Sequence, residues 1–220
     1  MGTDSTRSPA PTGKRAERNR QAIVAAARAM FIRHGFDAGM DLIAAEAGVS
    51  KVTVYNHFGS KEELFTEVVG QAMGEAHNTM AELRASLAGI EDVREALLHT
   101  ARALVTAAGD PSRMALRNLV TGELRRFPQL GDAYWQRGPA QSAAALGELF
   151  CDLCERGQLA IADVEVAVVQ FFSLTLYPHL IAGSIGSALP HELADRLLHE
   201  GVDLFLTRYQ RASPRRAPGN

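Results

Sequence analysis

Apolar residues recur at helical spacing along most of this chain. Between residues 20 and 34, Ile23, Ala27 and Phe31 fall on one face of a helix, and Gly35 follows its last turn as a typical cap. Alternation of apolar and polar residues, which marks a half-buried strand, is never sustained. The pattern predicts an all-α fold of about nine helices. The later ones are expected at residues 61–88, 91–108, 111–126, 132–156, 163–182 and 190–211.

Glycine and proline mark where these helices end or bend. Gly138-Pro139 is predicted to kink or restart the helix over 132–156. Gly157 is predicted to cap the end of the same helix. Pro178 falls late in the helix over 163–182.

Residues 40–58 contain two short helical patterns joined by a glycine, the arrangement of a helix-turn-helix. Gly48 lies where the turn needs a left-handed residue, and Ala44 and Ala47 are small where the two helices must approach. The apolar face that holds the pair against a third helix consists of Ile43, Val49 and Val54. An ordinary helical hairpin is the alternative, but the agreement of the whole segment favours DNA binding.

The second helix of this pair has a polar outer side that fits the major groove of DNA. Its candidate DNA-binding residues are Ser50, Lys51, Val52, Thr53, Tyr55 and Asn56. Hydroxyls and lysine suit phosphates, whereas side chains that point into the groove reach base edges. We expect Tyr55 to contact the phosphate backbone, and Lys51 and Val52 to help select bases.

The flanking residues resemble a known family. The TetR family of transcriptional regulators has a hallmark run similar to A-G-V-S-x-x-T-x-Y-x-H-F-x-x-K-E-x-L. This chain carries it as Ala47-Gly48-Val49-Ser50, Thr53, Tyr55, His57-Phe58, Lys61-Glu62 and Leu64. The resemblance covers roughly residues 15–70. It implies an N-terminal three-helix DNA-binding domain, a helical C-terminal domain for effector binding and dimerisation, and a homodimer on a double-stranded DNA operator.

One departure from the TetR pattern precedes the second helix. The family usually has one more residue between the positions of Gly35 and Ile43, with a Thr-Thr or Thr-Ser pair that caps the helix and often contacts a phosphate. This chain has Asp37-Ala38-Gly39 there. Because glycine is a worse N-cap than serine or threonine by only roughly a few tenths of a kcal/mol, we expect the fold to survive and the DNA affinity to fall.

Ser60 and Glu63 form a Ser-x-x-Glu capping box at the start of the long helix over 61–88. Lys61, in the first turn, is unfavourable for the helix dipole, and a DNA phosphate at this N-terminus would remove the conflict. The equivalent lysine of the family contacts the DNA backbone; an ordinary exposed lysine is the alternative. Gly70 and Gly74 indicate close packing or a bend.

The distribution of charge supports a DNA-binding N-terminus. The chain of 220 residues has a net charge of −2, yet residues 1–60 hold eight Lys and Arg against five Asp and Glu, a net of +3. The remainder holds 15 against 20, a net of −5. A basic end joined to an acidic body suits a protein that presents one face to phosphates, although a solvated helix surface gives the same signal.

The predicted domains follow from these motifs. Residues 1–14, rich in Thr, Ser, Pro and Gly, are expected to be a disordered tail that either lies in a minor groove or has no role. Residues 15–60 form the helix-turn-helix domain, and residues 61–212 form the effector-binding and dimerisation domain. Residues 213–220 form a flexible C-terminal tail.

A second resemblance lies in the C-terminal half. AefR-like members of the TetR family carry a run similar to E-x-x-R-F-P-x-L, followed later by R-G-x-L. This chain has Glu123-Leu124-Arg125-Arg126-Phe127-Pro128-Gln129-Leu130 and Arg156-Gly157-Gln158-Leu159. The resemblance covers roughly residues 90–180, and it does not indicate an effector because those of the subgroup are diverse or unknown.

The last two predicted helices carry more apolar surface than the core of one protomer needs. A homodimer through them would place two reading helices about one turn of DNA apart, ~34–36 Å. The predicted interface residues are Val164, Val168, Phe172, Thr175, Leu197, Val202, Phe205 and Tyr209.

An effector pocket is expected between the helices of the C-terminal domain, lined mainly by apolar residues. The candidates are Met73, His77, Met114, Asn118, Thr121, Phe150, Cys154, Phe171 and Tyr177. Each of them is also explained as an ordinary core residue. The set favours an apolar or aromatic effector over a sugar or a nucleotide.

No pattern indicates catalysis, a metal site or a membrane span. Cys151 and Cys154 lack the preceding strand of a redox motif and the second ligand pair of a zinc site, so we interpret both as buried packing residues. The seven histidines are scattered. No apolar run resembles a signal peptide or approaches the ~20 residues of a membrane helix. We therefore expect a cytoplasmic protein without enzymatic activity, cofactor or membrane partner.

The leading hypothesis is a ligand-responsive transcriptional regulator, expected to be a repressor that a small apolar effector releases from a palindromic operator. The alternative is an all-helical small-molecule binding protein whose DNA reader is weakened or lost. Only the shortened segment 37–39 supports this alternative.

Overall fold

The structure, a computed structural model, describes residues 11–72 and 90–211. The residues described contain no strand, apart from an isolated bridge between Leu159 and Gln210. The expected all-α fold is confirmed. Its helices are α1 (Lys14–His34), α2 (Met40–Glu46), α3 (Lys51–Phe58), α4 (61–72, as far as it is described), α5 (Val93–Ala108), α6 (Pro111–Glu123), α7 (Gln129–Arg137), α8 (Pro139–Glu155), α9 (Val164–Thr175), α10 (Tyr177–Ser184) and α11 (His191–Tyr209).

Two of the predicted helices are each divided in two. Gly138-Pro139 ends α7 and starts α8, which confirms a restart at this point. Pro178 lies at the start of α10 rather than late in one long helix. Because proline has no N–H for the next helical hydrogen bond and its ring crowds the preceding turn, α9 ends at Thr175. α9 and α10 meet at a bend of 54°.

The contacts divide the chain into two compact units. Of the described residues, the first unit holds 11–72 and 115–138, and the second holds 90–114 and 139–211. This division differs from the predicted boundary at residue 61, since α4 and the segment 115–138 lie in the first unit. The boundary falls within α6, whose residues up to Met114 belong to the second unit.

The core of the first unit is built around α1 and α4. Ile23, Ala27 and Phe31 of α1 are fully buried, as are Leu64 and Phe65 of α4. Each buried leucine or phenylalanine side chain stabilises the fold by about 1.5–3 kcal/mol. The residues that α6 and α7 add to this core are Leu116, Val120 and Leu130.

The core of the second unit is centred on three phenylalanines. Phe150 of α8, Phe171 of α9 and Phe205 of α11 are at most 1% exposed. Their ring centroids lie 5.1 to 5.6 Å apart, in edge-to-face and tilted arrangements that aromatic pairs favour. These side chains hold α8, α9 and α11 together.

Gly201 allows α11 to approach the end of α9. A Cβ at this position would lie 2.9 Å from the backbone oxygen of Leu174. Because that oxygen moves only with the backbone, we expect Gly201→Ala to lower the free energy of unfolding by about 1–3 kcal/mol, although alanine is the better helix former.

Urea denaturation of Gly201→Ala beside Gly147→Ala tests this expectation. A Cβ on Gly147 would meet Val164 at an ordinary 3.4 Å, so the control should be as stable as the parent or more stable. Equal unfolding free energies for the two variants would contradict the close packing at Gly201.

The two cysteines occupy different environments. Cys151 is exposed, so its interpretation as a buried packing residue is wrong, whereas Cys154 is partly buried against the core of the second unit. They lie three residues apart on α8, and only one of them faces inward. Within residues 11–72 and 90–211, no group of three or more His, Cys, Asp or Glu side chains could hold a metal ion.

No single helix in the described part of the chain has the length and apolar composition needed to span a membrane. By length and composition alone, the bent pair of α9 and α10 passes the same test. α9 contributes Ala167 and Phe171 to the buried core of the second unit.

Candidate nucleic-acid interface

The turn between α2 and α3 has the geometry that the sequence predicted. Gly48 has a φ of 66°, in the left-handed region that glycine adopts at little cost. Ile43 of α2 and Val54 of α3 are fully buried, and Ala44 is 4% exposed. The two helices therefore pack closely on the core of the first unit and form a helix-turn-helix.

The outer side of α3 is exposed, as a DNA-reading surface requires. Val52 is 67% exposed and Tyr55 is 42% exposed; Ser50, Lys51 and Asn56 are exposed as well. Ser50 Oγ accepts a hydrogen bond from the Thr53 N–H at 3.1 Å and lies 2.8 Å from Thr53 Oγ1. The Ser50 hydroxyl thus caps the helix N-terminus.

An acidic residue that the sequence pattern did not mark holds Lys51. Lys51 Nζ lies 2.9 Å from Asp41 Oδ2, and the hydrogen bond and charge of Asp41 raise the pKa of Lys51. The Asp41 side chain is 74% exposed. The pair therefore adds a carboxylate to the surface that α2 and α3 share. Only the tertiary structure brings these residues, ten positions apart, together.

The start of α2 confirms the expected glycine N-cap. Gly39 has an extended backbone and provides no side-chain hydrogen bond. The neighbouring Asp37 accepts a hydrogen bond from Arg126 Nη1 at 3.0 Å. The segment that departs from the TetR pattern thus contacts the run that resembles the AefR-like regulators.

Lys61 lies at the N-terminus of α4 against an aromatic ring. Ser60 Oγ accepts a hydrogen bond from the Glu63 N–H at 3.1 Å, which is one half of the predicted capping box. Lys61 Nζ lies 4.7 Å from the centroid of the Phe36 ring. The predicted continuation of this helix to residue 88 lies outside the described residues, as does Gly74.

His57 lies on the inner side of α3. It is 8% exposed, and its burial, together with the positive charge of Arg20, lowers its pKa. Arg20 itself pairs with Glu67 at 2.9 Å and lies over the Phe58 ring. α1, α3 and α4 therefore meet around a histidine that is neutral in the folded protein at neutral pH.

The lowered pKa of His57 predicts a pH dependence of stability. The unfolded chain takes up a proton near pH 6.5, above the pKa of the folded state, so protonation favours unfolding. We expect the free energy of unfolding to fall as the pH decreases through 6.5, and to fall less in His57→Gln. Urea midpoints at about pH 7.5 and 5.5 measure this. Identical pH dependence in parent and variant would contradict it.

Comparison with known proteins assigns the family. Residues 23–68 match the family described as bacterial regulatory proteins, TetR family. Residues 95–211 match the AefR-like transcriptional repressor, C-terminal domain. The chain belongs to the TetR family. This family consists of transcriptional regulators rather than enzymes, and its members bind DNA operators and act as dimers.

Three similar proteins show how far the likeness extends. The HTH-type transcriptional activator FasR of Mycolicibacterium smegmatis is 39% identical over 84 residues, which is 38% of this chain and only 36% of FasR. A TetR-family regulator from Mesorhizobium loti has 29% identity and a TM-score of 0.84, over 90% of this chain and 100% of its own. The flavonoid-responsive regulator FrrA has 27% identity and a TM-score of 0.70, with the same coverage.

The predicted pocket residues of this TetR protein are divided between the two units and the part of the chain that the structure does not describe. Met73 and His77 lie outside the described residues. Asn118 and Thr121 are exposed and belong to the first unit. Five lie in the second unit: Met114, Phe150, Cys154, Phe171 and Tyr177. The phenylalanines among these are fully buried core residues, so they are not available to line an open pocket.

His179, which the sequence did not indicate as a site residue, has a buried ring nitrogen in the second unit. Nε2 of His179, on α10, has no hydrogen-bond partner, and burial lowers the pKa of this side chain. One turn further on, Gly183 leaves room for Met114, since a Cβ there would lie 2.6 Å from Met114 Cε. The same face of α10 thus carries a polar atom without a partner and a contact with α6.

Most residues predicted for the dimer interface lie inside the second unit. The periodicity selected side chains that fill this unit's own core, so the predicted set is corrected here. Six of the predicted residues are at most 7% exposed: Val168, Phe172, Thr175, Val202, Phe205 and Tyr209. The other two, Val164 and Leu197, are partly buried. The large apolar side chains exposed on α9, α10 and α11, and at the C-cap of α10, are Val166, Val169, Tyr177, Ile181, Ile185, Leu193 and Leu204.

Proposed function

We propose that this TetR protein is a ligand-responsive repressor, which binds a palindromic operator as a homodimer and is released by a small apolar effector. The observation that carries the proposal is the exposed outer side of α3, which Ser50 caps and the buried core of the first unit supports. Val52 and Tyr55 are available there for a major groove. The match of residues 95–211 to AefR-like repressors supports repression.

The homodimer would use an apolar face of the second unit, which we call the α9–α11 face: Val166, Val169, Leu193 and Leu204. Val166 and Val169 are one turn apart on α9, and Leu193 and Leu204 are three turns apart on α11. These side chains are 41% to 59% exposed. A partner that covered them would add a second reading helix about one turn of DNA away.

The effector would be an apolar molecule with at least one hydrogen-bonding group. A buried polar atom without a partner costs about 1–3 kcal/mol, which a hydroxyl, carbonyl or carboxylate of the ligand would recover at His179 Nε2. Flavonoids combine an apolar ring system with hydroxyl groups. The likeness to FrrA therefore makes a hydroxyflavone the first probe.

α6 offers a direct route between effector and DNA. Its residues up to Met114 belong to the second unit, and those from Ala115 onward belong to the first. Met114 packs against Gly183 on the helix that carries His179. A ligand at His179 that shifts α6 would alter the first unit, with a coupling free energy of about 1–3 kcal/mol.

Selection of duplexes from a random library, followed by fluorescence anisotropy across a salt series, tests DNA binding. We expect enrichment of a palindrome that binds more tightly than a scrambled duplex. Lys61→Ala should weaken binding to both duplexes alike and reduce the log–log salt slope by about one, because phosphate contacts carry no sequence information. A chain that prefers no duplex and binds none at low salt would contradict a regulatory role.

The second candidate function is a small-molecule binding protein with a weakened reader. Asp37 and Asp41 place carboxylates beside the start of α2, where the family usually has a hydroxyl pair. Binding of a hydroxyflavone in a thermal-shift measurement, together with no measurable affinity for any duplex, would favour this candidate over the repressor.

A further inference from the structure

We propose that the segment joining α6 to α7 positions the DNA-contacting start of α4, with Phe127 acting on Lys61 through the ring of Phe36. The segment, residues 124–128, resembles part of an effector domain by sequence, yet its contacts are with the DNA-reading unit. The inference rests on the proposed function, because it assigns Lys61 to a DNA phosphate. It adds positioning residues from beyond the helix-turn-helix.

An aromatic cluster connects the segment to the reader. Phe36, between α1 and α2, is 1% exposed and meets Phe31 at 5.9 Å and Phe65 of α4 at 5.2 Å between ring centroids. Phe127 adds a fourth ring, 4.6 Å from Phe36. That distance is the shortest of the three from the Phe36 ring. Phe127 therefore helps to fix where this ring lies.

Lys61 uses the same ring. Its Nζ lies 4.7 Å from the Phe36 centroid, within the range at which a cation is attracted to an aromatic face. Loss of the Phe127 side chain would leave a space beside Phe36 that the ring can enter. The Phe36 ring that contacts Lys61 would then move, and the positive charge of Lys61 at the N-terminus of α4 would move with it.

Polar contacts hold the segment and the helix that follows it. Arg126 Nη1 donates to Asp37 Oδ1 at 3.0 Å, next to Phe36 in the chain. Arg137, at the end of α7, donates from Nη1 to the Thr66 backbone oxygen at 3.0 Å. Its guanidinium occupies the space that Gly70 leaves open, where a Cβ would overlap it. This confirms the close-packing interpretation of Gly70.

A comparison of the contacts made by Arg126 and Phe127 identifies Phe127 as the main positioning residue. The Arg126–Asp37 pair is exposed at both ends, 60% and 82%, and such exposed pairs contribute little to stability. Phe127 is partly buried against the core of the first unit, so its truncation to alanine should cost more than loss of that exposed pair. Arg126 is thus expected to orient the segment, while Phe127 and the buried Leu130 hold it in place.

A double-mutant cycle tests whether Phe127 acts through Lys61. The full-length variants Phe127→Ala, Lys61→Ala and the double variant are titrated with a random-sequence duplex across a salt series. We expect each single variant to bind about three- to tenfold more weakly, with a salt slope lower by about one. The double variant should bind no more weakly than Lys61→Ala, because coupled residues are not additive. Fully additive losses, or an unchanged slope in Phe127→Ala, would overturn the proposal.

Two controls separate positioning from general destabilisation. Phe127→Leu keeps an apolar side chain, so circular dichroism should show a folded protein, while the missing ring still weakens DNA binding. Arg125→Ala removes the same charge as Arg126→Ala from the adjacent exposed position. We expect Arg125→Ala to lose less affinity for DNA than Arg126→Ala. Equal losses from the two arginine variants would show that charge alone matters and overturn the role of the Asp37 contact.

Hydrogen exchange without DNA tests the positioning independently of the proposed function. In Phe127→Leu, the amides of the α1–α2 loop and the first turns of α4 should exchange faster than in the parent, whereas those of α11 should not change. Unchanged exchange at residues 36–39 and 61–66 would overturn the positioning. If the parent binds no DNA while exchange changes as expected, the contact stands and the regulatory function fails.

Discussion

Leu204→Asp is expected to give a folded monomer that no longer binds an operator, whereas Phe205→Asp, one residue further on, is expected not to fold. Leu204 is 59% exposed and belongs to the α9–α11 face. Phe205 is 1% exposed, and its ring contacts Phe150 and Phe171. The same substitution therefore places a carboxylate in a dimer interface at one position and in a closed core at the next.

Phe205→Asp is expected to reduce the stability of the fold, whereas Leu204→Asp is expected to reduce operator affinity. An unpaired charge in a core costs more than about 4–5 kcal/mol, a large part of the stability of a typical domain. In a monomer of Leu204→Asp the charge faces water, so folding is little affected. The loss of the second reading helix should instead lower operator affinity by about a hundredfold or more, since linked sites lose their avidity.

Sedimentation velocity at micromolar concentration, circular dichroism and operator anisotropy measure these outcomes. Val52→Asp is a useful control, because it places the same charge at an exposed position in the first unit. It should leave the dimer intact while it weakens DNA binding. A parent chain that sediments as a monomer, or a dimeric Leu204→Asp, would contradict the assignment of the α9–α11 face.

This pair of residues also shows what periodicity can and cannot predict. α9 carries apolar side chains on more than one side: Val168 is 4% exposed and Val169 is 50% exposed, although the two are adjacent and identical in type. A helical pattern identifies such a helix, but it does not show which side meets its own unit. Most of the interface residues predicted from the stripe were therefore core residues.

The helix-turn-helix was predictable because its determinants are local. Gly48 adopts the left-handed turn, Ser50 caps α3, and the contacts that define the motif lie within a few residues of each other. Arg126 and Asp37, by contrast, are 89 positions apart. Nothing in the spacing of either residue indicates that contact, so the assignment of the segment 115–138 to the DNA-reading unit required the fold.

The helix break at Pro178 was partly predictable from the sequence, unlike the contact between Arg126 and Asp37. The residue and its effect on a helix are local, yet residues 163–182 were predicted to form one helix with Pro178 late in it. The position of the break was not predicted, because α9 ends at Thr175 and its C-cap is Leu176. His179, which follows, became a candidate only when its Nε2 proved to be buried without a partner.

Asp41→Asn is expected to bind random DNA about tenfold more tightly at low salt, with a smaller gain of affinity for the operator. The ratio of operator affinity to random-DNA affinity should therefore fall. The Asp41 carboxylate lies 2.9 Å from Lys51 Nζ, at the start of the reading helix. We expect it to repel nearby phosphates and also to hold the lysine away from them. The asparagine variant removes both effects, and the salt slope should rise by up to about one as Lys51 becomes available to a phosphate.

The operator should gain less, because we expect the paired Lys51 to be directed towards the bases there, and a freely moving lysine to lose that orientation. Lys51→Ala in the Asp41→Asn background should abolish the gain on random DNA, since the released charge is then absent. Glu46→Gln removes the same charge from the last residue of α2 and should change binding little. Anisotropy titrations of these variants on operator and scrambled duplexes decide the matter. If Asp41→Asn weakens the operator complex alone and leaves random DNA unaffected, Asp41 accepts a hydrogen bond from a base, as a carboxylate does from the amino group of cytosine, and its role as a restraint on Lys51 is wrong.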